Sequence, residues 1–252
     1  MFGSQLSADK SVPLLKRLYL RILGSPKFGL RLRALHFQKQ LPNRSFQRIL
    51  DAGCGNGVYS FHLAQRFPNA EVIGIDTDTA RIERNEKIRK NLSIKNLSFR
   101  NEDILDLSYK EKFDLIVSID VIEQIKDISG FIQKLNRLLT PNGILYVHTP
   151  TENWHKKNPP SNTAERGYPL RHSYSREDLM HTLLNSGFQI IKERSTFGSL
   201  AAVLWKIDAV MRRSQLGFLS PLAFPVLLVL SLPDMFSRNK CGGGILILAK
   251  KS

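Results

Sequence analysis

This chain has little cysteine and, beside its bases, little acid. Cys54 and Cys241 are its only two cysteines, too few for a disulfide framework and lacking metal-ligand spacing, so a reducing interior suits them. No zinc or calcium spacing, internal repeat or low-complexity segment is present, and no metal site is expected. Asp and Glu number 22 against 37 Lys and Arg, a net charge of +15, which disfavours acid-seeking partners and points to nucleic acid, acidic lipid or an acidic substrate. In the first fifth of the chain Asp9 is the one acid among Lys10, Lys16, Arg17, Arg21, Lys27, Arg31, Arg33, Lys39, Arg44 and Arg48. A secretory signal is not evident, because the opening residues are polar and the apolar ones that follow are interrupted by Lys16, Arg17 and Arg21. The expected location is therefore cytoplasmic, peripheral on a membrane if the basic segments bind lipid. The longest apolar stretch, 216–233, is divided by Pro221 and Pro225. It falls short of the ~18 uninterrupted apolar residues of a membrane span.

What remains is a globular composition, 42% hydrophobic and 23% charged over 252 residues, long enough for one large domain or one domain with an insertion. The organising stretch is Arg48-Ile-Leu-Asp-Ala-Gly-Cys-Gly-Asn-Gly57. A short apolar strand runs into Asp51 and three alternate glycines, and the apolar spacing of Val58, Phe61, Leu63, Ala64 and Phe67 predicts a helix after them. Such a turn brings main-chain N–H groups and a helix N-terminus against a ligand. A dinucleotide fingerprint would need a third glycine at position 58, which is Val58. Asp51, at the strand tip, would repel a pyrophosphate and accept from an ammonium group. The ligand expected is a nucleoside with a cationic amino-acid tail.

Leu50-Asp-Ala-Gly-Cys-Gly-Asn-Gly57 resembles motif I of the class I S-adenosylmethionine (SAM) methyltransferases. The following strands fit that resemblance. Ala70-Glu-Val-Ile-Gly-Ile-Asp76 ends in a carboxylate 19 positions beyond Gly57, near the spacing of an acid that binds vicinal ribose hydroxyls, while Asp78 suits the cap of the next helix. The resemblance implies that Asp103, after a third strand, accepts from the adenine amino group, with Ile104 beside the ring. It also implies that Asp51, Gly53 and Gly55 hold the methionine end together with Asp120, at the tip of a fourth strand, with Gly57 among the cofactor-binding residues. The family pattern commonly reads Asp-Val-Leu-Glu-His-Ile there. This chain has Asp120-Val-Ile-Glu-Gln-Ile125, and Gln124 cannot serve as a general base at neutral pH.

Helix and strand alternate five times up to Gly143-Ile-Leu-Tyr-Val-His-Thr-Pro150, the pattern of a doubly wound parallel sheet. The polar stretch 151–170 leaves that edge and is the expected substrate lid. His172, with Tyr174-Ser175 before the next helix, resembles a family feature and is the candidate base or substrate contact. His148 and His155 are placed on the same side. The fold expected is α/β: a Rossmann-like, doubly wound, seven-stranded sheet with an antiparallel last strand, N-terminal helices and a helical insertion before that strand. The domain expectation is basic helices over 1–47, a SAM-binding core over 48–195, an apolar helical insertion over 196–241 and a closing strand in 242–252.

The two flanking segments carry no family motif. Pro13-Leu-Leu-Lys-Arg-Leu-Tyr-Leu-Arg-Ile-Leu23 predicts an amphipathic helix with Leu14, Leu15, Leu18, Ile22 and Leu23 in one stripe. Its expected primary role is packing on the core, with an anionic membrane surface as the alternative. Residues 30–41 predict a second, basic helix. The insertion is open to three readings: a cap over the active site, a dimer contact, or a segment dipping into lipid. The function expected is SAM-dependent methyl transfer to a small, hydrophobic or membrane-associated acceptor. An RNA methyltransferase, suggested by the charge, and a SAM-binding regulatory protein without turnover are the alternatives.

Overall fold

The computed structural model describes residues 2–110, 112–152, 154, 174–214, 220–233 and 242–252. The chain divides into two compact units, one of residues 43–193 with 244–252 and one of residues 1–42 with 194–243.

The first unit is built on strands β1 (Arg48–Ala52), β2 (Glu71–Asp76), β3 (Leu97–Asn101), β4 (Phe113–Ile119), β5 (Leu139–Pro150), β6 (Phe188–Thr196) and β7 (Gly244–Lys251), in spatial order β3-β2-β1-β4-β5-β7-β6. All described pairings are parallel except that of β5 with β7, so the antiparallel last strand is present as expected. Ile49 and Leu50 of β1 and Leu115, Ile116 and Val117 of β4 are fully buried. A parallel strand covered on both faces has to be apolar along its length, which is why these runs do not alternate. One core cluster joins Leu50, Ile73, Ile116 and Leu145 of the sheet to Phe131, Ile132 and Leu135 of the helix Ile128–Leu138.

Chain order sets where a ligand can enter. β1 pairs with β2 on one side and with β4 on the other. The connections leaving the two strands therefore part at their carboxyl ends, the crevice where open α/β sheets take ligands. The fifth strand starts earlier than the sequence suggests, at Leu139 rather than Gly143. Leu139 pairs with Phe113, the register jumps to Ile144 opposite Leu115, and Asn142 takes a φ of 63° in the corner between them.

The second unit brings together segments far apart in sequence: helices α1 (Leu14–Leu23), α2 (Phe28–Gln40), α7 (Ser199–Arg213) and α8 (Ser220–Leu230), counting α3 (Val58–Arg66), α4 (Thr79–Asn91), α5 (Ile128–Leu138) and α6 (Arg176–Asn185) in the sheet unit. Read in the sequence as a basic helix, α2 supplies the buried centre through Phe28, Leu32 and Phe37. Even Arg31 is buried, donating to the Phe2 carbonyl at 3.0 Å. Arg31 also stands 6.0 Å from the Phe224 ring.

Two sequence expectations are corrected in this unit. The α1 stripe expected to pack inward faces outward: Leu14, Leu15, Leu18 and Ile22 are exposed, and the buried residue of the helix is Leu20 on its other side. Pro225, read as a divider, sits inside continuous α8. Proline has no N–H to give the carbonyl four residues earlier, and that carbonyl, Pro221 O, accepts instead from Tyr19 Oη at 2.8 Å. Among the described residues no helix is long and apolar enough to cross a membrane.

Candidate functional site at the carboxyl ends of β1, β2 and β4

The glycine turn links β1 to α3 and is held from behind by β2. Gly53 and Cys54 N–H both donate to the Ile75 carbonyl, at 2.9 and 2.8 Å. Gly53 has a φ of +81°, and a Cβ there would lie 2.3 Å from Val121 Cγ2. Glycine is therefore obligatory for two independent reasons, and the second ties this turn to the exit of β4. Gly55 differs: its φ is +51°, yet a Cβ there would meet nothing nearer than Arg81 Nη1 at 3.7 Å. Space remains in front of that peptide. Gly57 ends the turn as the left-handed residue before α3.

Asp51 lies beneath the turn. It is 2% exposed and accepts from Ser60 Oγ at 2.5 Å. Burial pushes its carboxyl up to about 7, with the Asp76 charge adding to the rise and the Ser60 hydrogen bond opposing it. Ser60 carries little signal in the sequence. Its only signal there is a polar residue among the apolar positions of α3.

Asp76, half-buried at the end of β2, grips the turn directly. Oδ2 accepts from Gly55 N–H at 2.8 Å and Oδ1 from Asp78 N–H at 3.0 Å. An ionised carboxylate offers about four lone-pair directions, so two backbone bonds leave room for hydroxyl donors. Asp78 caps α4, accepting from Arg81 N–H at 3.1 Å. Asn85 of α4, missed in the sequence because it is one polar residue in a charged helix, donates to the Gly55 carbonyl at 2.8 Å. Both ends of the Gly55 residue are thus fixed by side chains from the β2–α4 segment.

Asp103 is exposed and caps a single 3-10 turn, Ile104–Asp106, accepting from Leu105 N–H at 2.9 Å. Ile104 points into the core cluster and is 7% exposed.

Asp120 follows β4 in a left-handed conformation, φ 57°, which Asp tolerates better than most residues. Its N–H donates to the His148 carbonyl at 2.9 Å, and Oδ1 lies 2.9 Å from His148 Nδ1. His148 is buried; it is a partner of Asp120 from β5 and not an open base on the substrate side. Gln124, where the resembled pattern has histidine, donates through Nε2 to the Asp120 carbonyl at 3.1 Å. Its amide steadies the Asp120 turn, a structural use that requires no proton transfer. Of the expected lid, residues 153 and 155–170 lie outside the described residues, as do His155 within it and the expected base His172; after it, Tyr174 Oη donates to the Ile125 carbonyl at 2.7 Å.

The structure thus gathers Asp51, Gly53, Gly55, Gly57, Asp76 and Asp120 at one sheet edge, with Asp103 following the neighbouring β3. The set is compatible with the expected ligand: open space beside the Gly55 Cα, whose own N–H and C=O are already bonded, a carboxylate at Asp76 with spare acceptor capacity, and a half-buried acid at Asp120.

The Methyltransferase domain family matches residues 43–187. The ubiquinone biosynthesis O-methyltransferase of Bradyrhizobium diazoefficiens is 29% identical over 162 residues, covering 60% of this chain and 60% of that protein. The trans-aconitate 2-methyltransferase of Deinococcus radiodurans is 33% identical over 122 residues, covering 48% of this chain and 45% of that protein. The matches therefore span about half of these curated relatives. Among solved structures, the geranyl diphosphate C-methyltransferase of Streptomyces coelicolor A3(2) superimposes with a TM-score of 0.64 at 16% identity, covering 88% of this chain and 79% of that one. At that identity the likeness is one of fold.

Proposed function

The chain belongs to the class I SAM-dependent methyltransferase family, and from that premise we propose that it transfers a methyl group to a small, hydrophobic or membrane-associated acceptor. SAM is its cofactor. When bound, SAM supplies an activated methyl group on a sulfonium, so the protein's work is to orient the two reactants and exclude water. The observation that carries the reading is the Asp76 carboxylate bonded to Gly55 N–H at 2.8 Å. It joins the acid proposed for the ribose hydroxyls to the turn proposed for the methionine end.

Within this proposal Asp51 acts from beneath the turn, holding its shape through Ser60, while Gly53, Gly55 and Gly57 let the backbone approach the methionine end. Asp120 accepts from the ammonium group, held in position by His148 and Gln124. Asp103 accepts from the adenine amino group, with Ile104 beside the ring. His172, outside the described residues, is the proposed base or acceptor contact. Gln124 supports chemistry that needs no base at that position, which suits an acceptor already nucleophilic.

The named relatives differ in acceptor, one belonging to ubiquinone biosynthesis and another to trans-aconitate. The hydrophobic acceptor rests instead on the apolar residues that α1, α7 and α8 expose. The same residues favour lipid over RNA as the destination of the positive charge. Titration calorimetry tests the cofactor half: one SAM per chain is expected, and a folded protein that takes up none overturns the proposal.

A further inference from the structure

Three helices of the 1–42 and 194–243 unit turn apolar stripes outward. On α1, Leu14 and Leu15 are 77% and 82% exposed. With Leu18 and Ile22 they occupy the side away from buried Leu20, as the rotation of ~100° per residue requires. On α8, Leu222, Val226, Val229 and Leu230 are exposed opposite buried Phe224 and Leu227. On α7, Leu200, Val203, Ile207 and Val210 form a third stripe beside buried Ala201 and Leu204. Single exposed apolar residues are ordinary on a protein surface. Three helices each carrying an aligned outward stripe are not, because a helix normally buries that face.

Charge selects what covers them. Among the described residues of this unit the only carboxylates are Asp9 and Asp208, and Asp208 is buried, accepting from Arg212 Nε at 2.9 Å. Against them stand exposed Lys16 and Arg21 on α1 and Lys206 and Arg213 on α7. Lys206 and Arg213 border the α7 stripe, one residue from Ile207 and three from Val210. Apolar stripes edged by cations, with scarcely an acid near them, are the signature of helices lying in the interface of an anionic bilayer. A nucleic acid would pair with the cations and leave the leucines in water. The helices are also fixed to one another: Tyr19 of α1 bonds the Pro221 carbonyl of α8, and Ser220 at the start of α8 donates to Asp208 of α7 at 3.4 Å.

We propose that α1, α7 and α8 form a docking surface for an anionic lipid bilayer, set by the exposed leucines and valines and their bordering lysines and arginines. This deepens the reading of a membrane-associated acceptor and rests on it for its purpose, although the surface is argued from the helical unit alone.

The test is co-sedimentation of the full chain with vesicles of phosphatidylglycerol and phosphatidylcholine, and with phosphatidylcholine alone. Sedimentation with the anionic vesicles is expected, at least tenfold weaker with the neutral ones. The double variant Leu15→Glu/Leu222→Glu, changed at residues 82% and 71% exposed, is expected to lose at least tenfold while its calorimetric SAM affinity stays that of the unaltered protein. Unaltered protein that stays in the supernatant overturns the proposal, as does a double variant that sediments equally well. A dimer in sedimentation velocity that the double variant dissolves, without vesicle binding, assigns the stripes to a second copy and also overturns it. SAM binding is read separately, so failure here is distinguishable from failure of the methyltransferase reading.

Discussion

The Tyr19 hydroxyl donates a 2.8 Å hydrogen bond to the Pro221 carbonyl, the oxygen that Pro225 cannot serve from within α8. Residues 202 positions apart thus repair a local defect and fasten α1 to α8. Tyr19→Phe should cost about 1 kcal/mol, rising towards about 2–3 if the carbonyl is left dry, read from urea unfolding. Pro225→Ala restores the missing N–H, so the same tyrosine change in that background should cost roughly 1 kcal/mol less. Equal costs in the two backgrounds would show that the tyrosine does not answer the proline.

Gly53→Ala should weaken SAM binding at least about tenfold, or 1.4 kcal/mol, since the new methyl group meets Val121 Cγ2 at 2.3 Å and the φ of +81° is unsuited to alanine. Adding Val121→Ala should relieve the clash but keep the backbone cost of about 1–2 kcal/mol. Calorimetry on the two variants separates these parts. Unchanged affinity in Gly53→Ala would mean that the turn does not carry the ligand.

Asp76→Asn keeps the side chain's shape and gives up its charge and one acceptor oxygen. Gly55 or Asp78 N–H then loses its partner, and a hydrogen bond to a charged group is worth about 1.5–3 kcal/mol. The lost backbone bond should lower the unfolding free energy by that amount in urea, and SAM affinity should fall roughly 10- to 100-fold by calorimetry on the folded variant; unchanged affinity would show that Asp76 does not hold the ligand.

Asp51 gives a pH signature. Its carboxyl is raised from 3.8 to about 7 by burial, so the folded state holds a proton that the unfolded chain has released. The stability contributed by the protonated form is full below pH 3.8 and is lost as pH rises towards and through about 7. His62, lowered from 6.5 to about 4 by burial and then by Arg66, acts with the opposite sign: its contribution is present above pH 6.5 and lost as pH falls through about 4. The informative quantity is therefore the difference between the unaltered protein and Asp51→Asn, which leaves the His62 contribution in place. The asparagine variant should gain relative stability as pH rises from about 4 to 7, by an amount of the order of a few kcal/mol. Parallel urea-unfolding curves across that range would show that Asp51 keeps an ordinary carboxyl.

Much of the sheet unit is legible in the sequence because apolar strands, capping acids and the glycine turn each carry a local signal. Asp78 announces itself as a cap, and the alternation of helix and strand fixes the parallel order. What is not legible is which way a side chain turns. Asp51 reads as a strand-tip carboxylate, but its bond to Ser60 takes it under the turn. His148 reads as a candidate base, but the β4–β5 register brings it to Asp120. In the helical unit the stripe of α1 was plain, but periodicity gives a stripe without saying whether protein or lipid covers it. Pro225 misleads for a related reason, because its remedy lies on a helix near the other end of the sequence.

The most direct test of the account is incubation of the full chain with methyl-labelled SAM and a total membrane lipid extract, followed by separation of organic and aqueous phases. The account predicts label in an organic-soluble product, abolished or sharply reduced in Asp76→Asn. Label that stays in SAM, or passes only to water-soluble acceptors, would contradict it.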